Sequence, residues 1–440
     1  MFSRFYYVNQ ILKMAFPIMM GNIGFILIGV GDVVVAGRHS TDTLAAISIA
    51  TSVTSCIMMF GIGILSSISA ILSNYKGEEK SLRRYLGYSI KFGCFLAFIT
   101  SLMIFACIPL TDKIGISSNL VQMVKDYFFV TAFATYGAYL HCALKEYLQA
   151  HGRVHFSNFV TVFCVFLNLT LNILFVFGFW KVPSLGVIGL AIASLITRYF
   201  MGIVLLIYCL LKKVGSIPNK TILYKSELSY YKDLVRVGVP ASFAILIEFI
   251  GFNAITVILG RVSGLYSAAH NILCTLTSVS FMVPFSFSMA ASVKIGYSNG
   301  AKEYNDVKRY SWTVILMSVC FMSFSAVIVR MFPEFLTKLF TNDIELIKIC
   351  IPVVSILCFF QIFDGLQVSL SGIFRGLKST KIVMFSNFIA YWLISLPLGF
   401  YFCFKLNMYL LGFWYGIGIA AVVLCVMMFI KLIFCLKKMN

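Results

Sequence analysis

Long apolar runs, separated by short polar joints, fill this chain almost from end to end. Twelve runs are long enough for a helix to cross a bilayer, which takes about 20 residues. They cover 11–36, 44–73, 86–108, 124–148, 157–179 and 186–211, then 234–260, 267–296, 310–332, 346–374, 382–404 and 409–436. The pattern predicts an all-α integral membrane protein. Its longest polar stretch, 212–233, falls at the midpoint and reads as a linker. The expected organisation is therefore an N-terminal six-helix lobe over 1–211, a cytoplasmic linker over 212–233 and a C-terminal six-helix lobe over 234–440.

The two halves repeat. Pro17, Gly37-Arg38, Ala45-Ala46 and Gly77 recur as Pro240, Gly260-Arg261, Ala268-Ala269 and Gly300, all at the one offset that carries Pro17 onto Pro240. Leu185-Gly186 recurs as Leu411-Gly412, and Phe156-Ser157-Asn158 as Phe385-Ser386-Asn387. Six spans per repeat insert both halves the same way up. That implies a pseudo-two-fold axis along the membrane normal, the parallel-repeat plan of many secondary transporters. A site served by two such lobes can be opened to either side by rocking one lobe. Pro17 and Pro240 hold equivalent places, and Pro284 interrupts the eighth span; a proline in a span frees a carbonyl and permits bending.

Composition agrees with the pattern. Hydrophobic residues make up 60% of the 440 and charged residues 12%, against about 45–50% and 25% in soluble domains. The formal charge of +19 would suggest nucleic acid in a soluble chain. Here the basic residues sit in joints between spans, so no nucleic-acid partner is expected. Of the 35 Lys and Arg, 25 fall at the termini and even-numbered joints and nine at the odd-numbered ones, while Arg198 stays inside span 6. The positive-inside rule then puts both termini in the cytoplasm. Arg198 is expected to snorkel or pair near a boundary. The 13 cysteines are scattered without metal or redox spacing. No cleavable signal peptide is expected, because the first run leads straight into further spans.

Three acids lie deep in spans: Asp32, Glu248 and Asp364. Glu248 is twelve residues past Arg236, roughly 18 Å from the basic edge and near the midplane. Asp364 is eleven residues before Arg375, about 16 Å in. A charge at that depth costs on the order of 3 kcal/mol, and such residues usually line cavities or ion paths. The competing reading is a neutral carboxyl hydrogen-bonded between helices. Few intramembrane cations are evident, so the missing positive partner reads as mobile: a proton, a sodium ion or a cationic substrate. Leaving water also makes a carboxyl easier to protonate. Asn168 and Asn172 lie one turn apart in span 5, Gln361 and Gln367 flank Asp364, and Asn253 follows Glu248. His141 and His270 are candidate proton relays or plain hydrogen-bonded helix residues. No zinc helix, phosphate loop or nucleophile elbow is found, so neither an enzyme nor a nucleotide-driven pump is expected.

Together these residues resemble the multidrug and toxic compound extrusion (MATE) family, in its NorM-like branch. The matching stretches are AFPIMMGNIGFILIGVGDVVVAG, YLQAHG, GVPASFAILIEFIGFNAI, SAAHNI, MVPFSFSMA with GYSNGA, and IFDGLQVSLSGIFRG with NFIAYWLISLPLG. The resemblance implies a bacterial inner-membrane antiporter, working as a monomer among membrane lipids. It would expel small, often cationic organic compounds in exchange for Na+ or H+, without a cofactor. Carried over by position, Glu248 and Asp364 match acids linked to cation coupling, with Na+ a possible ligand there. Asp32 matches the N-lobe acid, with Asn168 and Asn172 its amide partners. Ser194 stands where many relatives have Thr. Phe360 falls where relatives often have Tyr, which removes one possible oxygen ligand. The alternatives are a precursor flippase of the same superfamily, expected to carry two further spans and a more cationic cavity, and a lipid-modifying membrane enzyme.

Overall fold

The computed structural model describes residues 2–113, 117–178, 183–215 and 226–439, with side chains from Phe5 onward. The elements described are all helical. They run α1 (Phe2–His39), α2 (Thr41–Leu65), α3 (Ser67–Gly77), α4 (Arg83–Cys107), α5 (Ser118–Ala150), α6 (Val154–Phe177) and α7 (Gly186–Leu211). The second half brings α8 (Glu227–Val262), α9 (Gly264–Gly300), α10 (Tyr304–Met331), the short α11 (Pro333–Lys338) and α12 (Ile344–Gly376). A continuous helix follows over Lys381–Lys405: α13 (Lys381–Asn387), a π-helical stretch (Phe388–Ser395), α14 (Leu396–Phe400) and a second π stretch (Tyr401–Lys405). The chain closes with α15 (Tyr409–Lys437).

Eleven helices among the described residues are long and apolar enough to span a membrane, with α2 and α3 together making one of them. The predicted fourth span is α5, which has the length at 33 residues but falls short of the others in apolarity. The centre of the expected linker, 216–225, lies outside the described residues. Its last seven residues are instead the first two turns of α8.

The repeat seen in the sequence is built into the backbone. Ser40 and Ser263, a pair at the Pro17–Pro240 offset, both take an extended conformation and cap a helix by accepting from Thr43 N and Leu265 N. Glu79 and Lys302, another such pair, both hold the left-handed conformation that ends a helix (φ 59° and 60°). In each case the following amide closes back on the last turn, Lys80 N to Tyr75 O and Glu303 N to Ser298 O. Gly189, and not Gly186 as the Leu-Gly match suggests, is the counterpart of Gly412 at this offset; Gly186 alone of the three has a positive φ. A Cβ on Gly189 or Gly412 would stand 2.7–2.8 Å from the backbone of the preceding helix, at Phe175 and at Phe402–Cys403. Only glycine permits that approach.

The chain forms two compact units, Phe16–Ser242 (the N-unit) and Met1–Ala15 with Phe243–Asn440 (the C-unit). The division falls inside α1 and α8, just before Pro17 and just after Pro240, and not in the polar stretch at 212–233. Each unit has its own core. In the N-unit it includes Ile68, Leu72, Tyr75, Tyr139 and Leu205; in the C-unit Leu259, Leu357, Phe360, Phe413 and Trp414. Large apolar side chains also cover the outside, as lipid requires. On α6, Phe159, Phe163, Phe166 and Ile173 are exposed while Asn158, Thr161, Asn168 and Asn172 are buried. The helix is polar inward and apolar outward.

Candidate functional site

Each unit buries a deep acid among polar side chains. In the N-unit, α1 carries Asp32, buried against α6 and α7. Asn172 Nδ2 donates to Asp32 Oδ1 at 2.6 Å, and Ser194 Oγ donates to Oδ2 at 3.1 Å. The same Asn172 amide donates to Asn168 Oδ1 at 3.0 Å. One turn of α6 thus presents both asparagines to one acid, as their i, i+4 spacing requires. Asn172 Oδ1 finds no partner among the described residues. Arg198 does not sit at a boundary: it lies halfway along α7, donates to Met58 Sδ at 3.6 Å, and its charge bears on Asp32 and on the buried Tyr127. Asp32 therefore has a fixed cation nearby, which the sequence did not lead us to expect.

In the C-unit, α8 presents Glu248 to α12 and α13. Gln367 Nε2 donates to Glu248 Oε2 at 3.0 Å, and Asn387 Nδ2 lies 3.5 Å from the same oxygen. Asn387 also donates to Ala244 O at 3.0 Å, Trp392 Nε1 to Ile247 O at 3.3 Å, and the Tyr391 hydroxyl to Gln367 Oε1 at 3.4 Å. Tyr391 and Trp392 lie on the π stretch that starts directly after Asn387. Such wide turns recur at functional sites because they re-aim side chains off the regular helical stripe. Asp364 is buried on α12 and close enough for its charge and that of Glu248 to act on each other.

Other expected residues fall around this pair. Gln361 is fully buried, with neither amide atom partnered among the described residues. Phe360 is buried between Phe252 and Trp414, at ring distances of 6.1 and 5.9 Å. Asn253 is exposed and bonds back to its own helix at Phe249 O, 2.7 Å, away from Glu248. Pro17 and Pro240 are buried inside unbroken helices. His270 is buried, with Nε2 3.4 Å from Phe252 O. Asn387 and Tyr391 are site residues that the sequence reading does not name as such. The signal available was the repeat of Phe156-Ser157-Asn158 at Phe385-Ser386-Asn387, which marks Asn387 as a place both halves keep polar.

The MatE family signature matches residues 17–174 and 240–401, one stretch in each half. The chain belongs to the MatE family. Among curated relatives it is 28% identical to a protein of Photorhabdus laumondii named probable multidrug resistance protein NorM, over 98% of this chain and 96% of that one. It is 24% identical to a Bacillus subtilis protein of the same name, covering 94% and 93%. Among solved structures, the eukaryotic MATE transporter AtDTX14 matches with a TM-score of 0.88 at 20% identity, over 99% of this chain and 98% of that one. An outward-facing multidrug resistance MATE family transporter matches at 0.87 and 17% identity, over 99% and 97%. At these identities the structures fix the shared helical fold.

Proposed function

We propose that this MatE protein is a multidrug efflux antiporter that exports organic, often cationic, compounds in exchange for H+ or Na+ by alternating access. The carrying observation is the pair of buried carboxylate clusters, Asp32 in one unit and Glu248 with Asp364 in the other. In the C-unit the partners that reach the carboxylates are neutral amides and a phenol, and the two acids repel each other when both are ionised. That pair is poised to take up a mobile cation. Both donor sets are hard oxygens and amides, which suit a proton or Na+ equally. In the outward-open state, cation binding to the acids releases the drug. In the inward-open state, the vacated carboxylates favour a cationic drug. The names of the NorM relatives support multidrug compounds as cargo and efflux as the direction. We place the protein in the bacterial inner membrane from its likeness to the bacterial NorM proteins, and both termini in the cytoplasm from the basic-residue bias.

Glu248→Gln and Asp364→Asn are expected to abolish resistance to an aromatic cationic dye in an efflux-deficient host, while the protein level in the membrane stays within twofold of wild type. Purified protein in dye-loaded vesicles, energised in turn by a proton and a sodium gradient, identifies the ion. Wild-type resistance in both variants overturns the C-unit mechanism.

A further inference from the structure

We infer that the buried face of α6, together with His141 and the Lys145–Glu146 pair of α5, forms a proton route between Asp32 and the membrane face that carries the 151–153 turn. The inference rests on reading Asp32 as an acid that exchanges a proton during transport.

The inward face of α6 is polar over nearly its whole length. Asn172, Asn168, Cys164, Thr161, Asn158 and Ser157 follow one another along it and are at most 2% exposed. From Asn172 to Ser157 the helix rises roughly 22 Å through a hydrocarbon layer about 30 Å thick. An interior stripe that only had to pack would carry aliphatic side chains, since each buried polar group needs a partner. Here three of the amides are incompletely paired: Asn172 Oδ1 and Asn158 Oδ1 are buried acceptors, and Asn168 Nδ2 a buried donor, with no hydrogen bond among the described residues. Steps of four residues rise about 6 Å, the span of two hydrogen bonds through one water.

The stripe reaches titratable groups. The Thr161 hydroxyl donates to Ser157 O at 3.1 Å, so at the His141 contact of 3.4 Å it accepts from Nε2–H. That tautomer leaves Nδ1 unprotonated, and the ring can take a proton on one nitrogen and give it up from the other. One turn further along α5, Lys145 Nζ donates to Asn22 Oδ1 of α1 at 3.2 Å. Glu146, 3% exposed, follows at once and interacts with the Lys145 charge. Lys145 lies inside α5 and bonds to α1. The groups facing the route are Arg198 and Tyr127 at Asp32, Thr161 and Lys145 at His141, and Asn22, Cys142 and Glu146 at Lys145. The Lys145 and Glu146 charges lie close enough to offset each other. A proton leaving Asp32 moves by hydrogen-bond exchange along this face, through waters admitted between its side chains during transport, to His141, and from there past the Lys145–Glu146 pair to the face that carries the 151–153 turn. No other bond is made or broken.

The test uses full-length protein in vesicles carrying a proton gradient, with an aromatic cationic dye as cargo. His141→Ala and Thr161→Val should each slow proton-driven dye transport at least tenfold while the dye Kd in detergent stays within twofold. Adding imidazole should restore at least threefold of the His141→Ala loss, which a merely structural histidine would not allow. Asp32→Asn should abolish proton-driven transport. Loss in Asp32→Asn with wild-type rates in His141→Ala and Thr161→Val overturns the route alone; wild-type transport in Asp32→Asn overturns the reading of Asp32 beneath it. A His141→Ala loss with altered dye affinity and no imidazole rescue, or transport driven by sodium and not by protons, also overturns the route.

Discussion

Gly21 shows how closely α1 is held against the Asp32 unit. A Cβ there would stand 1.9 Å from Asn158 Oδ1, and the residue beside it, Asn22, accepts from Lys145. Gly21→Ala must push α1 away from α6 or turn the asparagine, at a cost of about 1–3 kcal/mol for overpacking. We expect Gly21→Ala to lower the unfolding temperature in detergent and to slow transport. Asn158→Ala in the same chain should recover the stability, whereas Gly29→Ala, which meets nothing within 4 Å, should be neutral. A Gly21→Ala protein as stable as wild type would show that α1 is not fixed there. At this scale the sequence exposed the acids and amides, because charge or amide inside a long apolar run stands out. It did not expose partners whose residue types are ordinary in membranes, such as Tyr391 and Trp392, nor Lys145, whose place near a span end looks like solvated surface until α1 is packed against it. Asn253 failed for the opposite reason. Adjacency along a helix is not a shared face, and five residues on from Glu248 it turns to the outside.

α1 and α8 each begin in one unit and end in the other, and the repeat pairs the contacts that fix their first turns. Tyr7 and Tyr230 are equivalent positions in it, at the same offset as Pro17 and Pro240. Tyr7 donates to Asp306 at 2.8 Å, accepts from Arg309 at 3.1 Å and packs edge-on against Tyr310; Tyr230 bonds to Ser89 at 2.7 Å. Three residues on, Gln10 accepts from Lys294 at 2.8 Å, and Asp233 accepts from Tyr75 at 2.5 Å. The plan is shared and the environment is not. Tyr230 and Ser89 are both at most 1% exposed, whereas Asp306 and Arg309 reach water. Tyr230→Phe leaves the Ser89 hydroxyl buried and unpaired, costing roughly 1–3 kcal/mol; Tyr7→Phe forfeits its bonds to Asp306 and Arg309, but both charged groups reach water and are resolvated, which holds the loss to about 1 kcal/mol. Thermal unfolding should therefore rank Tyr230→Phe below Tyr7→Phe, and the reverse order would mean the first turn of α1 is the firmer anchor. The helices and their repeat were legible because lipid demands long apolar runs and because caps and turns recur at one offset. The π stretch at Phe388–Ser395 was not, since its apolar residues suit a wide turn and a regular one alike.

One chain thus carries two acid clusters on a duplicated frame, and the duplication does not extend to their chemistry. In the register that pairs Pro17 with Pro240, the counterpart of Glu248 is Phe25 and that of Asp32 is Ile255. Asp32 has an arginine in reach and a hydrogen-bond donor on each carboxylate oxygen; Glu248 and Asp364 have each other. Two such sites serve one cycle if drug binding empties both. In weakly buffered detergent solution, saturating an unliganded wild-type protein with cationic dye should then release more protons per dye bound than either Asp32→Asn or Glu248→Gln releases, and the double variant should release fewest. If sodium is the coupling ion, a sodium-selective electrode should record the same ranking. Release from Asp32→Asn equal to wild type would assign coupling to the C-unit alone and leave the Asp32 cluster a structural polar core. Equal release from Glu248→Gln would reverse the assignment. A double variant that matches its weaker parent would mean that the two acids empty in a single coupled step, because independent sites lose their contributions additively.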